Sequence, residues 1–155
     1  MKILTVASTF IVIALLVGED RTAMQGEWEV VEYDQNGQKP DAAVLRKMAV
    51  VIKGDKLSIY PRLIAQYKPI FKDGKSDKEV FFSADFSKAD EIKFRLNPEK
   101  GWIDLGDDKP SKGLYALDDV SLKICFAANG KNRPKKLPEQ PKAGVVRLVL
   151  LKKAK

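Results

Sequence analysis

Histidine is absent from this chain, and cysteine occurs once, at Cys125. The first absence excludes Ser-His-Asp and Cys-His catalysis and any His-ligated metal centre. The second excludes an internal disulfide and a thiolate metal cluster. No internal repeat or low-complexity segment appears, and helical patterning is nearly missing, being confined to Asp41–Met48. No recognisable catalytic constellation is left. The expectation is a protein that is not an enzyme, with no cofactor and no metal ion.

Charge of both signs is present but unequal, with 28 basic against 21 acidic residues and a net charge of +7. That balance favours solubility and weak attraction to anionic surfaces. The densest basic cluster is Lys131, Arg133, Lys135 and Lys136, set among Pro and Gly. It reads as a solvated loop. The sharper alternative, a polyanion or nucleic-acid face, requires aromatic platforms beside the cations. No nucleic-acid partner is expected.

Lys2 precedes an uncharged, mostly apolar run from Ile3 to Val17, closed by Gly18 and then Glu19-Asp20-Arg21. A positive start, a short apolar stretch and a polar exit describe a secretory signal peptide. The run falls short of the ~20 residues a spanning helix needs, and Thr5, Ser8 and Thr9 lower its hydrophobicity. A cleaved leader over residues 1–18 is expected, with 23 as the alternative end. Neither position is a good small-x-small site. The protein is therefore expected in the periplasm or outside the cell, with membrane contact only through an uncleaved leader. No cysteine follows the run, which excludes a lipid-anchored lipoprotein.

From Gly26 onward the apolar period is mostly two, the period of a half-buried strand. Ile92, Phe94 and Leu96 alternate with Lys93 and Arg95, and Val120, Leu122, Ile124 and Phe126 with Ser121, Lys123 and Cys125. Val80, Phe82, Ala84 and Phe86 form another phase, and Val145 to Leu151 is nearly continuous. Shorter strands are predicted at Trp28–Tyr33, Ala49–Lys53, Lys56–Tyr60, Trp102–Leu105 and Gly113–Leu117. Turn chemistry separates them at Asn36-Gly37, Gly54-Asp55, Asp73-Gly74, Asn97-Pro98, Asp107-Asp108 and Asp118-Asp119. A meander of this kind must close or stack to hide its edges. The predicted architecture is all-β, one antiparallel barrel of eight or nine strands over residues 24–153. One short helix follows the first strand. Arg62–Lys78 is left as a long aromatic connection that extends two strands or forms a flap at the open end.

The first strand begins Gly26-Glu27-Trp28, a Gly-x-Trp that resembles the opening motif of lipocalins and related small barrels. The resemblance implies that Trp28 plugs the closed end and that an Arg of the last strand, here Arg147, lies across its face. A fuller similarity is to an uncharacterised lipocalin-like domain family abundant in planctomycete bacteria. It is carried by Met24–Val31, by Gly113–Ala127 with the loop Gly130-Lys131-Asn132-Arg133-Pro134, and by the final Leu150-Leu151-Lys152-Lys153. That family implies a bacterial, exported barrel, and implies no activity.

Several residues invite a functional role. Phe82, Phe94, Tyr115 and Phe126 fall in inward phases. They line a ligand cavity if the barrel is not filled. The ligand expected there is small and apolar, or amphipathic with an anionic head near Arg62, Lys68 or Lys72. A barrel filled by its own side chains would instead act through its surface, as an interaction or envelope-associated structural protein. Asp118-Asp119 reads as a hairpin turn rather than a catalytic pair. Asp104, Asp107 and Asp108 match no known calcium loop, and Lys109 and Lys112 crowd them. Cys125 reads as a packed thiol. A monomer is expected.

Overall fold

The computed structural model describes residues 18–140 and 142–154. Its first described residues, 18–24, are helical (α1). Ten strands follow: β1 Gly26–Gln35, β2 Ala49–Lys53, β3 Lys56–Tyr60, β4 Arg62–Lys72, β5 Lys75–Asp85, β6 Asp90–Asn97, β7 Trp102–Leu105, β8 Ser111–Leu117, β9 Ser121–Ala127 and β10 Val145–Lys152. The short helix α2, Ala42–Leu45, lies between β1 and β2. Eight strands close into an antiparallel barrel in the order β1-β10-β9-β8-β7-β6-β3-β2, while β4 and β5 pair only with each other. Full closure removes the unpaired edges that an open meander would expose.

Alternation decides which side chains fill the barrel. Val50 and Ile52 of β2, Leu122 and Ile124 of β9, and Leu148 and Leu150 of β10 are all buried in one cluster. Burial of such side chains, at ~25 cal/mol per Å² of apolar area, is the main force holding the sheet closed. In β1 the phase changes partway. Trp28 and Val30 face the core, but the register slips between Val30 and Glu32. That bulge inserts one residue, so Tyr33 then joins the core cluster, and Glu32 and Asp34 face outward.

One end of the barrel is sealed. Trp28 is fully buried there, and its indole Nε1 donates to the Met24 carbonyl at 2.8 Å. Met24 itself is buried, so α1 closes this end. The cation on the Trp28 ring is not Arg147. In the antiparallel register Trp28 faces Lys152, whereas Arg147 faces Asp34. Lys152 Nζ stands 5.4 Å from the indole centroid. Closure makes the first and last strands neighbours, as Gly26-Glu27-Trp28 implied. But Arg147 is an odd-numbered residue between core-facing Val146 and Leu148, so it points away from the core and lies near the other end.

Of the two alternatives for Arg62–Lys78, the strand one holds: the segment is β4 and the first part of β5, a ribbon whose turn is Asp73-Gly74 with φ of 53° and 72°. Two successive positive φ angles mark the tight hairpin turn for which Gly is suited. Phe82 and Ala84 therefore belong to this ribbon rather than to the barrel wall. The root of the ribbon lies over the open end, where Phe82 meets Tyr33 edge-on with ring centroids 5.7 Å apart.

Candidate functional site: an outer cleft under a basic strap

The four aromatic residues expected to line a ligand cavity separate into two groups. Phe94 and Tyr115 are buried in the sealed half. There Phe94 packs with Met24, Ile52, Leu57, Ile103, Leu122 and Ile124, and no space for a water molecule is left among them. The Tyr115 hydroxyl donates to Asp20 of α1. Burial, then that hydrogen bond, pushes the Tyr115 phenol well above its ordinary value. Phe126 and Phe82 sit at the open end. Phe126 lines a mouth cavity of about 240 Å³ with Tyr33, Ile59, Leu63, Ile92 and Leu148. This lies under the ~300–1,000 Å³ of ordinary ligand pockets.

The mouth also has the wrong sign for an anionic head group. Its charged lining residues are Asp90 and Glu91. Arg62 is there, but its Nε is bound to Asp90 Oδ1 at 2.6 Å. Lys68 and Lys72 lie opposite Glu79 and Lys75 further along the ribbon. Burial, with Asp34 and Asp90 nearby, pushes the Tyr33 phenol up to about 12, so the mouth holds a neutral hydroxyl.

The outer wall offers more. Residues 128–140 and 142–144, between β9 and β10, cross the outside of the barrel as a strap, and two arginines fix it. Arg133 donates to the Gly113 carbonyl and, through Nη2, to Asp104 Oδ1 at 2.7 Å. Gly113 also lets β8 lie close on β9, since a Cβ there would stand 2.5 Å from the Cys125 carbonyl oxygen. At the other limb Arg147 donates from Nε to the Pro138 carbonyl at 3.0 Å and from Nη2 to the Glu139 carbonyl at 3.1 Å. Its Nη1 pairs with Glu32 and lies 3.7 Å from Asp34 Oδ2. That last separation is attractive but too long for a hydrogen bond.

Beneath this limb lie Asp34 and Cys125, both without solvent exposure. Burial raises the Asp34 carboxyl above its ordinary value against the pull of Arg147. The hydrogen bond from Arg147 lowers that of Glu32. Burial also raises the Cys125 thiol, consistent with a packed residue. The burial of Asp34 was not legible, because the bulge that sets it under the strap has no sequence signature.

Between strap and wall is a cleft of about 560 Å³. Ala127, Pro134, Pro138 and Val145 give it an apolar floor, while Lys135, Lys136 and Lys142 line it with Arg133. No acidic residue lines it. Among the described residues none of the three lysines forms an ion pair. A second depression of about 510 Å³ shares Arg133, Pro134 and Lys135 and adds Lys100, Trp102 and Leu114. The Trp102 ring carries Lys100 Nζ at 4.4 Å and the Arg133 guanidinium at 4.3 Å from its centroid. The aromatic neighbour that the basic cluster lacked in sequence is thus supplied from β7. Its π surface is occupied by two cations, which disfavours base stacking.

The remaining sequence candidates have structural roles. Asp118 accepts from the Val120 and Ser121 amides and the Ser121 hydroxyl, as a hairpin-turn carboxylate does. Asp104 is bound by Arg133, and Asp107 pairs with Lys93 at 3.3 Å. No protein-family model, curated protein or solved structure matches the chain.

Proposed function

We propose that the chain is an exported binding module for a small anionic amphiphile, held in the outer cleft rather than inside the barrel. The observation that carries this reading is the cleft itself, whose apolar floor of Ala127, Pro134, Pro138 and Val145 is bordered by lysines without acidic partners. Its volume falls within the range of ordinary ligand pockets. An alkyl body on the floor would gain ~0.8 kcal/mol per buried methylene, and the head group would meet Lys135, Lys136 or Lys142. The ligand chemistry is the one expected from the sequence; its location is not. Export rests on the leader-like residues 1–18, of which 1–17 lie outside the described residues. A cut after Gly18 would keep the Tyr115–Asp20 contact; a cut after Ala23 would remove it.

The test is a titration with dodecanoate or dodecyl sulfate, read from Trp102 fluorescence, with native mass spectrometry of the purified protein for a retained ligand. Replacing Lys135 and Lys136 together by Ala should weaken binding about tenfold, near 1.4 kcal/mol. Equal affinity in parent and double variant would refute the cleft. Absence of saturable binding would leave the second reading, a filled barrel acting through its surface as an interaction or envelope-associated protein. The packing around Phe94 favours it.

A further inference from the structure

Among the described residues, the β4–β5 ribbon is the one pair of strands outside the barrel sheet. Eleven residues per arm give it a length of roughly 35 Å at 3.2–3.4 Å per residue, so only its root can lie over the mouth. Register places Leu63, Ala65, Tyr67, Pro69 and Phe71 on one face with Ala84, Phe82, Val80, Lys78 and Ser76 opposite them. Near the root this face is covered, for Phe82 packs on Tyr33. The cover ends at the Tyr67–Val80 pair, where Val80 is buried but Tyr67 is 58% exposed, and Phe71 beyond it is 82% exposed.

The acids of the ribbon's distal part are elsewhere. Asp77 and Glu79 face Ile70 and Lys68 on the other side, and Asp73 is in the turn. At the tip Lys72 and Lys75 stand directly opposite each other on that same side, a like-charge pairing that costs stability, and Lys78 is the cation on the face of Tyr67 and Phe71. Among the described residues neither they nor Lys78 and Lys68 form an ion pair.

We propose that the distal part of this ribbon docks on a bilayer surface bearing anionic headgroups, with Phe71 and Tyr67 entering the interface, and with Lys78 of their face and Lys72 and Lys75 at the hairpin end meeting the headgroups. Two magnitudes select this occupant. Aromatic side chains bury about 150–250 Å² each. Two of them with Pro69 fall short of the ~800 Å² per partner of a stable protein interface. A lipid surface needs no shape complementarity and gains from each inserted ring. The net charge of +7 opposes a second copy of the chain and favours an anionic surface. This docking is independent of the outer cleft.

Flotation of the purified full chain with phosphatidylcholine vesicles, and with vesicles containing phosphatidylglycerol, tests it. Phe71→Ser, at a side chain almost wholly in solvent, should leave the melting temperature unchanged and lower partitioning to the anionic vesicles about tenfold. The emission of Phe71→Trp, taken as a difference from the parent, should shift to the blue on those vesicles and be quenched by brominated lipid. Lys135→Ala with Lys136→Ala should change neither result. Partitioning of Phe71→Ser equal to the parent would overturn the proposal. So would an unmoved Phe71→Trp spectrum, or a lipid-free dimer that Phe71→Ser dissolves.

Discussion

Replacing Arg147 by Met removes the charge that holds one limb of the strap while keeping a long, mainly apolar side chain. Arg147 is 7% exposed and Asp34 fully buried, so the carboxylate beneath it would lose the nearest cation among the described residues. Two terms set the cost. Asp34 can escape by taking a proton, which at pH 7 costs at most about 4.4 kcal/mol from its ordinary value of 3.8 at 1.36 kcal/mol per unit. The carbonyls of Pro138 and Glu139 lose donors at about 1 kcal/mol each. Glu32 is largely solvent-screened and adds little. The expected loss is about 3–5 kcal/mol, the range found when one partner of a buried pair is removed. For a domain of this size that is roughly 10 °C or more in melting temperature. Thermal unfolding at pH 7 and pH 4 is the assay. The deficit should shrink at pH 4, where a proton on Asp34 costs little, and adding Asp34→Asn should recover part of it. Trypsin should also cut faster after Lys135 and Lys136 once the strap is loosened. A loss under 1 kcal/mol, or no recovery in the double variant, would refute this account of the strap.

Asp34→Asn alone should stabilise the protein at pH 7. Burial raises the folded carboxyl's pKa, so the native chain binds this proton more tightly than the unfolded one, and stability falls as pH rises from about 4 through the raised value. Urea midpoints across that window should show the variant's advantage growing with pH; an advantage that does not change with pH would contradict it. Gly113→Ala should cost about 1–3 kcal/mol by overpacking, since the new methyl would meet the Cys125 carbonyl and Ile103; a neutral substitution in a urea melt would show that β8 and β9 can separate freely. Trp28→Ala should cost about 3–5 kcal/mol as a large buried aromatic, measured by denaturant unfolding, and a loss under 1 kcal/mol would make Trp28 peripheral.

The barrel was legible because most of its strands carry their own evidence. β6 and β9 alternate cleanly, β10 is nearly continuous, and Asp118-Asp119 and Gly54-Asp55 mark the turns between strands. β7 and β2 match their predicted ends. The β5 arm of the ribbon showed its alternation at Val80, Phe82 and Ala84, but the β4 arm was obscured because its apolar residues fall on both faces: Ile64 and Ile70 on one, Tyr67 and Phe71 on the other. No period of two emerges from that mixture, and Pro69 argues against a strand interior. α2 is shorter than Asp41–Met48 because Lys47 and Met48 already lead into β2. The strap's role was hidden for a different reason. Arg147 is an ordinary polar residue in an apolar strand until the bulge in β1 sets Glu32 and Asp34 beside it. The lysines of the strap complete their apolar floor with Ala127 and Val145 of the flanking strands, and Trp102 comes from a strand thirty residues earlier.

The central claim is that ligand binds outside a filled barrel. An amide chemical-shift titration of the isotope-labelled protein with dodecanoate tests it most directly. The account predicts saturable shifts at Ala127, Asn132, Lys135, Lys136 and Val145, with Ile59, Ile92 and Leu148 at the mouth unmoved. Shifts concentrated at those mouth residues and at Phe126, with the strap silent, would place the ligand inside the barrel and contradict it.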